Sequence, residues 1–327
     1  MNKILATLLL SLSLIPNSHA WEPDKNKPIK LVMATTPGSS SDIVTRAIGK
    51  SLNDSGFQVS YEYKTGVGGI LAANDVHESV KDGHTLLSVL ATGMFVTPDL
   101  YYLGARKYEW DKFELVSMLS KNPSILIGKT SVEADTVPKM LSSLRSSKPE
   151  RFSIGHGPGG GLAQVENFLA AAKYSKEKDI ARIPYKGPKE AALDVAAEST
   201  DYAIVVMPSP YGLIEANKVK AIAVTSPKRL AKLPNVPTVS ETIKGFSLTG
   251  INGVALPEGT NKEIVEFYIK HFTSYMKGKE YQTILDNAFL TLDNDEMGPT
   301  AFKNAVKETI QDTLPVLIKS ADNQKKK

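Results

Sequence analysis

The chain has 327 residues, of which 42% are hydrophobic and 23% are charged, and it contains no cysteine. The lack of cysteine excludes disulfides, thiolate metal sites and cysteine nucleophiles. A net charge of +4 is too small to indicate a nucleic-acid-binding surface, so no nucleic-acid partner is expected. The composition is that of a globular protein, and its length predicts two domains of about 100–200 residues each.

The first twenty residues have the three parts of an export signal. Lys3 supplies a positive charge, residues 4–15 form an apolar stretch, and Ser18-His19-Ala20 matches a small-x-small cleavage site. The apolar stretch is too short to span a bilayer as a stable helix. We therefore expect a signal peptide at residues 1–20, cleavage before Trp21, and export of the rest of the chain.

From residue 28 onward, β-branched runs alternate with segments of helical period. Because this alternation is typical of an α/β fold, we expect parallel sheets covered by helices on both faces. Strands are predicted at residues 29–35, 57–64, 84–91, 124–129, 152–155, 180–184, 202–207, 220–225 and 250–255. Helices are predicted at residues 42–52, 70–80, 162–173, 262–276 and 300–319.

Three loops rich in glycine and serine, at residues 37–42, 65–69 and 155–161, follow predicted strands and precede predicted helices. Such loops lie at the carboxyl ends of the strands, where ligands bind in α/β folds. They present free backbone N–H groups at the positive end of a helix, which favours anions. For any one loop alone, a tight turn that requires positive φ is the simpler interpretation.

The third loop contains G-x-G-x-x-G at Gly155, Gly157 and Gly160, the spacing of a dinucleotide-binding loop. The strand predicted after it, at residues 180–184, ends without the acidic residue that would bind a ribose hydroxyl. The five histidines lack metal-ligand spacing, and no G-x-S-x-G motif occurs. We therefore expect no metal and no cofactor, and the sequence offers little sign of an enzyme.

Six short motifs occur along the chain in a characteristic order. They are P-I-K-L-V at 28–32, P-G-S-S-S-D-I-V-T-R at 37–46, G-V-G-G at 66–69, D-G-H-T-L-L at 82–87, I-P-Y-K-G at 183–187, and a segment at 221–241 containing A-I-A-V-T-S and L-P-N-V-P-T-V-S-E. In order and spacing, the chain resembles the tripartite tricarboxylate transporter receptors, also called the Bug family of periplasmic solute-binding proteins. The resemblance covers essentially the whole chain after residue 20.

The resemblance implies a fold like that of type II periplasmic binding proteins, in which two α/β lobes joined by a hinge close as a Venus flytrap on a ligand in the cleft. Lobe 1 would comprise residues 21–122 and 246–327, and lobe 2 residues 123–245, with the hinge near 121–124 and 245–250. The implied protein is a monomeric receptor, not an enzyme, that captures a small organic carboxylate for integral-membrane transporter subunits.

The resemblance also implies where the ligand binds. The first two loops would hold a carboxylate mainly through backbone amides and bridging waters, and the third loop and the 185–187 turn would complete the pocket. The expected ligand-binding residues are Thr35, Gly38, Ser39, Ser40, Asp42, Gly66, Gly68, Gly69, Gly155, His156, Gly157, Tyr185, Lys186 and Gly187.

Several positions differ from the family pattern in ways that bear on the ligand. Ala34-Thr35 stands where the family usually has Pro-Phe, Ser39 replaces a glycine, and His156 occupies a loop that usually carries a hydroxyl residue. Val205 replaces an acidic residue that some amino-acid-binding members use for the ligand's amine. Because a buried ammonium without a carboxylate partner is costly, we expect a ligand without an amine: a dicarboxylate, a tricarboxylate or an aromatic carboxylate.

Other functions remain open on the sequence alone. An exported α/β hydrolase could use Ser40 or Ser41 with His156, and a receptor of this kind could feed a sensor kinase or serve regulation or adhesion. A binding protein would gain thermal stability from its ligand without converting it.

Overall fold

The structure is a computed structural model and describes residues 21–96, 104–145, 152–157, 160–173 and 180–325. The signal peptide expected at residues 1–20 lies outside the described residues, as do residues 158 and 159 of the third loop. None of the helices in the described ranges is both long enough and apolar enough to cross a membrane.

Within these ranges the chain forms nine strands, nine α-helices and several short turns. The strands are β1 (Ile29–Met33), β2 (Val59–Tyr63), β3 (Thr85–Leu90), β4 (Phe113–Gly128), β5 (Phe152–His156), β6 (Ile180–Pro184), β7 (Tyr202–Val206), β8 (Lys220–Val224) and β9 (Thr249–Pro257). The α-helices are α1 (Ser40–Asp54), α2 (Ile70–His77), α3 (Val137–Arg145), α4 (Gly161–Ala171), α5 (Pro188–Ala196), α6 (Tyr211–Glu215), α7 (Lys262–Met276), α8 (Lys279–Asn287) and α9 (Pro299–Lys325). Two of the turns border the site described below: a 3-10 turn at Val67–Gly69 and a π-helical turn at Thr92–Val96.

The strands form one continuous sheet in the order β2-β1-β3-β9-β4-β7-β5-β6, with β8 also paired to β4. The first half of β4 pairs with β9, from Phe113 opposite Pro257 to Pro123 opposite Thr249. Its second half pairs with β7 and β8. The 16-residue strand β4 therefore carries the chain from one half of the molecule to the other, and β9 carries it back.

The expectation of parallel sheets is correct for β1 with β2 and β3, and for β5 with β6 and β7. It is wrong for β4, β8 and β9, whose pairings are antiparallel. For β4 and β9 the reason is that they cross between the halves in opposite directions, so they can only pair antiparallel. The strand predicted at 124–129 is the second half of β4, and its first half was not predicted.

Each half has its own hydrophobic core. In lobe 1, β1, β3 and the first half of β4 pack with helices through fully buried residues such as Leu31, Ile48 and Tyr268. In lobe 2, Ile154 and Phe168 lie in a cluster on the α4 side of the sheet, and a second cluster includes side chains of β7 and α5. The molecule is thus an α/β protein of two lobes.

The boundaries expected at 122/123 and 245/246 stay predictions. Residues assigned to lobe 1 nevertheless pack among lobe 2 residues. Phe246 and Leu248 lie in the cluster of Ile154 and Phe168, and Phe289, just after α8, has its ring centroid 4.5 Å from that of Tyr211. Helix α9 also joins the lobes, because its fully buried Leu317 packs with Val96 of lobe 1 and Ala163 of lobe 2.

Candidate functional site

The first loop connects β1 to α1 and is shaped by side chains at the start of the helix. Val44, Ala47 and Ile48 bury one face of α1, which fixes the helix against the sheet. Ser39 is the N-cap, and its Oγ accepts a hydrogen bond from the Asp42 N–H at 3.2 Å. The Oγ1 of Thr35 lies 2.7 Å from the Ser39 Oγ, so both hydroxyls lie at the N-terminus of α1.

The carboxylate of Asp42 holds the first loop in shape. It accepts hydrogen bonds from the Gly38 N–H at 2.8 Å, from Arg46 Nε at 3.0 Å and from the Tyr63 hydroxyl at 2.6 Å. Burial of Tyr63 and this bond raise the pKa of its phenol, which therefore stays a donor. Gly38 has φ +81°, a backbone conformation that residues other than glycine rarely adopt. Asp42 therefore stabilises a turn that requires glycine at position 38.

Unused donors remain at the start of α1. The N–H groups of Ser40 and Ser41 donate to no acceptor among the residues that the structure describes. The Ser40 Oγ accepts a hydrogen bond from Nδ2 of Asn122 on β4 at 3.0 Å, which leaves its own hydrogen free to donate. These three donors lie at the positive end of a 15-residue helix.

The second loop is packed too closely to carry side chains at its glycines. Gly66, Val67, Gly68 and Gly69 have positive φ in succession. A Cβ on Gly68 would lie 2.9 Å from the carbonyl oxygen of Gly93. The loop is therefore pressed against the Thr92–Val96 turn.

In lobe 2 the third loop and the 185–187 turn follow neighbouring parallel strands. The N–H of Tyr185 donates to the carbonyl of His156 at 3.0 Å, and a Cβ on Gly155 would lie 2.9 Å from the Tyr185 ring. The Tyr185 hydroxyl lies 2.7 Å from Asp194 and 2.6 Å from Thr200. These two hydrogen bonds connect the 185–187 turn to α5 and to the segment that follows it.

The imidazole of His156 is 7% exposed, and its Nδ1 lies 2.9 Å from the Gly157 carbonyl oxygen. Because a carbonyl only accepts, Nδ1 carries the hydrogen. Burial lowers the pKa of His156, so the ring is neutral at neutral pH and its Nε2 is an acceptor.

The two lobes meet beside these loops. Gly160 lies against Thr92 of lobe 1, so that a Cβ on Gly160 would be 3.1 Å from the Thr92 methyl carbon. Within lobe 2, the Ser124 hydroxyl on β4 donates to Oε1 of Gln164 in α4 at 2.9 Å, which fixes α4 to the crossing strand. We call the space between the first two loops and the third loop the cleft.

The predicted site residues form two groups, one on each side of the cleft. Whether they bind a ligand stays a prediction. Thr35, Gly38, Ser39, Ser40, Asp42, Gly66, Gly68 and Gly69 lie after β1 and β2, and Gly155, His156, Gly157, Tyr185, Lys186 and Gly187 lie at the ends of β5 and β6.

Sequence reasoning did not single out four residues near the cleft: Thr92, Ser120, Asn122 and Asn252. For Ser120 and Asn122 the signal would have been polar residues within a long run of strand-forming residues, but the first half of β4 was not predicted as a strand. Val205, used to argue against an amine, is 1% exposed and lies in the lobe 2 core.

A hydrolase would need a serine paired with a histidine. The Ser41 hydroxyl instead bonds that of Ser88 at 2.9 Å, Ser40 bonds Asn122, and His156 bonds Gly157. The geometry therefore does not support this alternative. Across the described ranges, no cluster of His, Asp and Glu could hold a metal ion.

A crevice of about 300 Å³ lies on the other face of the β4–β9 pair. Successive side chains of a strand point to opposite faces, so Asn122 faces Ser40 while Lys121 lines the crevice. Thr249 also lines it, together with lobe 2 residues 226–232 and Phe289. We call this space the rear crevice.

A family model described as "Tripartite tricarboxylate transporter family receptor" matches residues 44–315. The chain belongs to this family. Among the receptor's relatives is the UPF0065 protein in the tcbD-tcbE intergenic region of Pseudomonas sp. (strain P51), which is 30% identical over 245 residues, 74% of this chain and 71% of that protein. The family is one of solute-binding receptors, not enzymes.

Solved structures of similar fold include MatC (Rpa3494) from Rhodopseudomonas palustris with bound malate, at a TM-score of 0.75 and 22% identity over 89% of the receptor and 99% of that chain. Another is R. palustris Rpa4515 with adipate, at a TM-score of 0.75 and 23% identity over 90% of the receptor and 97% of that chain. At these identities the likeness shows the fold, which is that of two-lobed periplasmic solute-binding proteins.

Proposed function

We propose that the receptor captures a small organic carboxylate without an amine, most favourably a dicarboxylate, in the cleft. The observation that carries the proposal is the set of unused donors at the start of α1: the N–H groups of Ser40 and Ser41 and the Ser40 hydroxyl. Each hydrogen bond to a charged acceptor contributes about 1.5–3 kcal/mol. Three or four such bonds, less the costs of association, are enough for about micromolar affinity.

A second helix end supports two carboxylates rather than one. Helix α4 begins after Gly160 without a side-chain cap, next to the point where lobe 2 meets Thr92. Its positive end can hold a second carboxylate. Malate and adipate, bound in two structures of similar fold, each carry two carboxylates and no amine.

Membership of a transporter-receptor family supports delivery of the ligand to the membrane. We propose that the receptor is exported by residues 1–20, works in the periplasm and hands its ligand to the integral-membrane subunits of a tripartite tricarboxylate-type transporter. N-terminal sequencing of the periplasmic protein should begin at Trp21, and a chain that retains residues 1–20 in the cytoplasm would contradict export.

Thermal unfolding with a panel of carboxylates tests the ligand class. A ligand at about 100 times its Kd adds about 2.7 kcal/mol to the free energy of unfolding, which raises Tm by several degrees. We expect such a rise with malate, adipate or citrate and none with glutamate or aspartate, and Ser40→Ala should reduce it while the exposed Ser60→Ala should not. Failure of every carboxylate, or a larger rise with glutamate, would refute the proposal.

A further inference from the structure

A buried polar network lies on the cleft face of the two strands that cross between the lobes. Asn252 Nδ2 donates to Ser120 Oγ at 3.0 Å and to Asn122 Oδ1 at 2.8 Å. Ser120 donates in turn to Asn122 Oδ1 at 3.0 Å. Ser120 and Asn252 are at most 1% exposed, and Asn122 is 7% exposed, so these groups depend on one another for hydrogen bonds.

The donors and acceptors of Asn122 fix which way each hydrogen bond of the network runs. Both lone pairs of Asn122 Oδ1 are occupied, by Ser120 and Asn252. Its Nδ2 can only donate, and it donates to Ser40 Oγ. A serine hydroxyl has one hydrogen, and that of Ser40 is not used by this bond.

We propose that Asn122 is a positioning residue for the ligand: by donating to Ser40 Oγ, it turns the Ser40 hydrogen toward the cleft, where it donates to a ligand carboxylate. The inference rests on the proposed function and goes beyond it, because Asn122 acts through Ser40 without touching the ligand. It also gives the crossing strand a part in specificity, since the Ser40 hydrogen that it leaves free favours a ligand group that accepts a hydrogen bond.

The variant Asn122→Asp reverses the last bond of the network. An aspartate keeps the acceptor that Ser120 and Asn252 need, but its second oxygen takes the Ser40 hydrogen, and Ser40 then presents a lone pair to the cleft. The added negative charge also repels a carboxylate, so the variant must be read in a double-mutant cycle with Ser40→Ala, in which the charge effect cancels.

Calorimetric titration with malate, and with adipate as a second probe, measures the cycle. We expect Ser40→Ala to lower malate affinity about tenfold. Asn122→Asp should cost about tenfold more in the presence of Ser40 than in the Ser40→Ala background. Equal costs in the two backgrounds would overturn the proposal, and circular dichroism and ligand-free Tm check that each variant folds.

A ligand-free form of the cycle separates this proposal from the proposed function. If no carboxylate binds the wild type, the proposed function fails, and the bond between Asn122 and Ser40 is then measured by urea unfolding of the same four proteins. Non-additive free energies of unfolding would support the bond, and strictly additive ones would overturn the positioning role by themselves.

Discussion

Gly160 leaves little room for a side chain where lobe 2 meets lobe 1. A Cβ there would lie 3.1 Å from the Thr92 methyl carbon, and the two branches of valine would extend further. Gly160→Val should therefore hold the lobes apart and lower malate affinity about tenfold or more, as overpacking costs about 1–3 kcal/mol. Calorimetry measures the loss.

Gly212 is the matched control for this change. It lies in the short helix α6, and a Cβ at this position would meet no other atom within 4 Å, so Gly212→Val should leave malate affinity unchanged. Wild-type affinity in Gly160→Val would show that the lobes do not need this contact to close.

The buried imidazole of His156 should make the protein less stable in acid. Burial lowers its pKa in the folded protein, whereas in the unfolded chain the pKa is about 6.5. Above that pH both states are neutral and His156 contributes no pH dependence. As the pH falls below it, the unfolded chain binds a proton first, so the free energy of unfolding decreases.

Replacing His156 should remove this part of the acid sensitivity. Urea unfolding at pH 8 and pH 5.5 should show a smaller loss of stability for His156→Gln than for the wild type. His271, whose pKa burial also lowers, remains in both proteins and serves as the internal reference. An equal loss in both proteins would mean that His156 titrates in the folded state as it does in the unfolded chain.

At the scale of elements, α9 ties the two lobes, and Leu317 is its fully buried side chain in the cluster that they share. Leu317 is fully buried with Val96 and Ala163, whereas the next residue, Ile318, is 43% exposed. Leu317→Ala should lower the free energy of unfolding by about 2–5 kcal/mol, because it removes a buried side chain and leaves a cavity. Ile318→Ala should cost about 0.5 kcal/mol, and equal costs in urea unfolding would contradict the packing.

The sequence was sufficient for the elements whose signals are local. The strand–loop–helix units around residues 37–42, 65–69 and 155–161 were predictable because β-branched runs, glycines and helical period lie next to one another in the chain. The antiparallel pairing of β4 with β9 was not, because it joins segments more than 100 residues apart and leaves no local pattern.

For the candidate site, the sequence predicts the loops but not the contacts that shape them. Glycine and serine content marks the loops, but it does not say which donors remain unused. That Asp42 binds Gly38 and that Asn122 binds Ser40 depends on tertiary contacts, which a spacing of residues along one chain does not encode.

For the whole molecule, we expect the volume of the rear crevice to affect how readily the two lobes close on the cleft. The β4–β9 pair lies between the cleft and the crevice, so a rotation about it that narrows the cleft widens the crevice. Thr249→Trp should fill the crevice, disfavour the open form and raise malate affinity severalfold. The exposed Lys244→Trp, a bulky change elsewhere on the same segment, should have no effect.

The distance between the lobes reports directly how far the cleft is closed. Because the chain has no cysteine, Asn53→Cys on α1 and Lys189→Cys on α5, both exposed, give a clean pair of spin labels. Thr249→Trp should shorten the mean distance in the ligand-free protein, and Ala231→Trp, from the opposite wall of the crevice, should act in the same direction. A longer distance between the labels, or a lower malate affinity in both variants, would contradict the coupling between the rear crevice and closure of the cleft.

The position of β9 in the sheet also sets the order in which the molecule can fold. It lies between β3 and β4 but follows β4 by more than 100 residues, whereas strands β5 to β8 all precede it. Lobe 2 can therefore complete its sheet while lobe 1, begun first, still has the facing edges of β3 and β4 unpaired. Such edges pair readily with other chains, so we expect the chain to be most prone to aggregate while β9 is not yet in place.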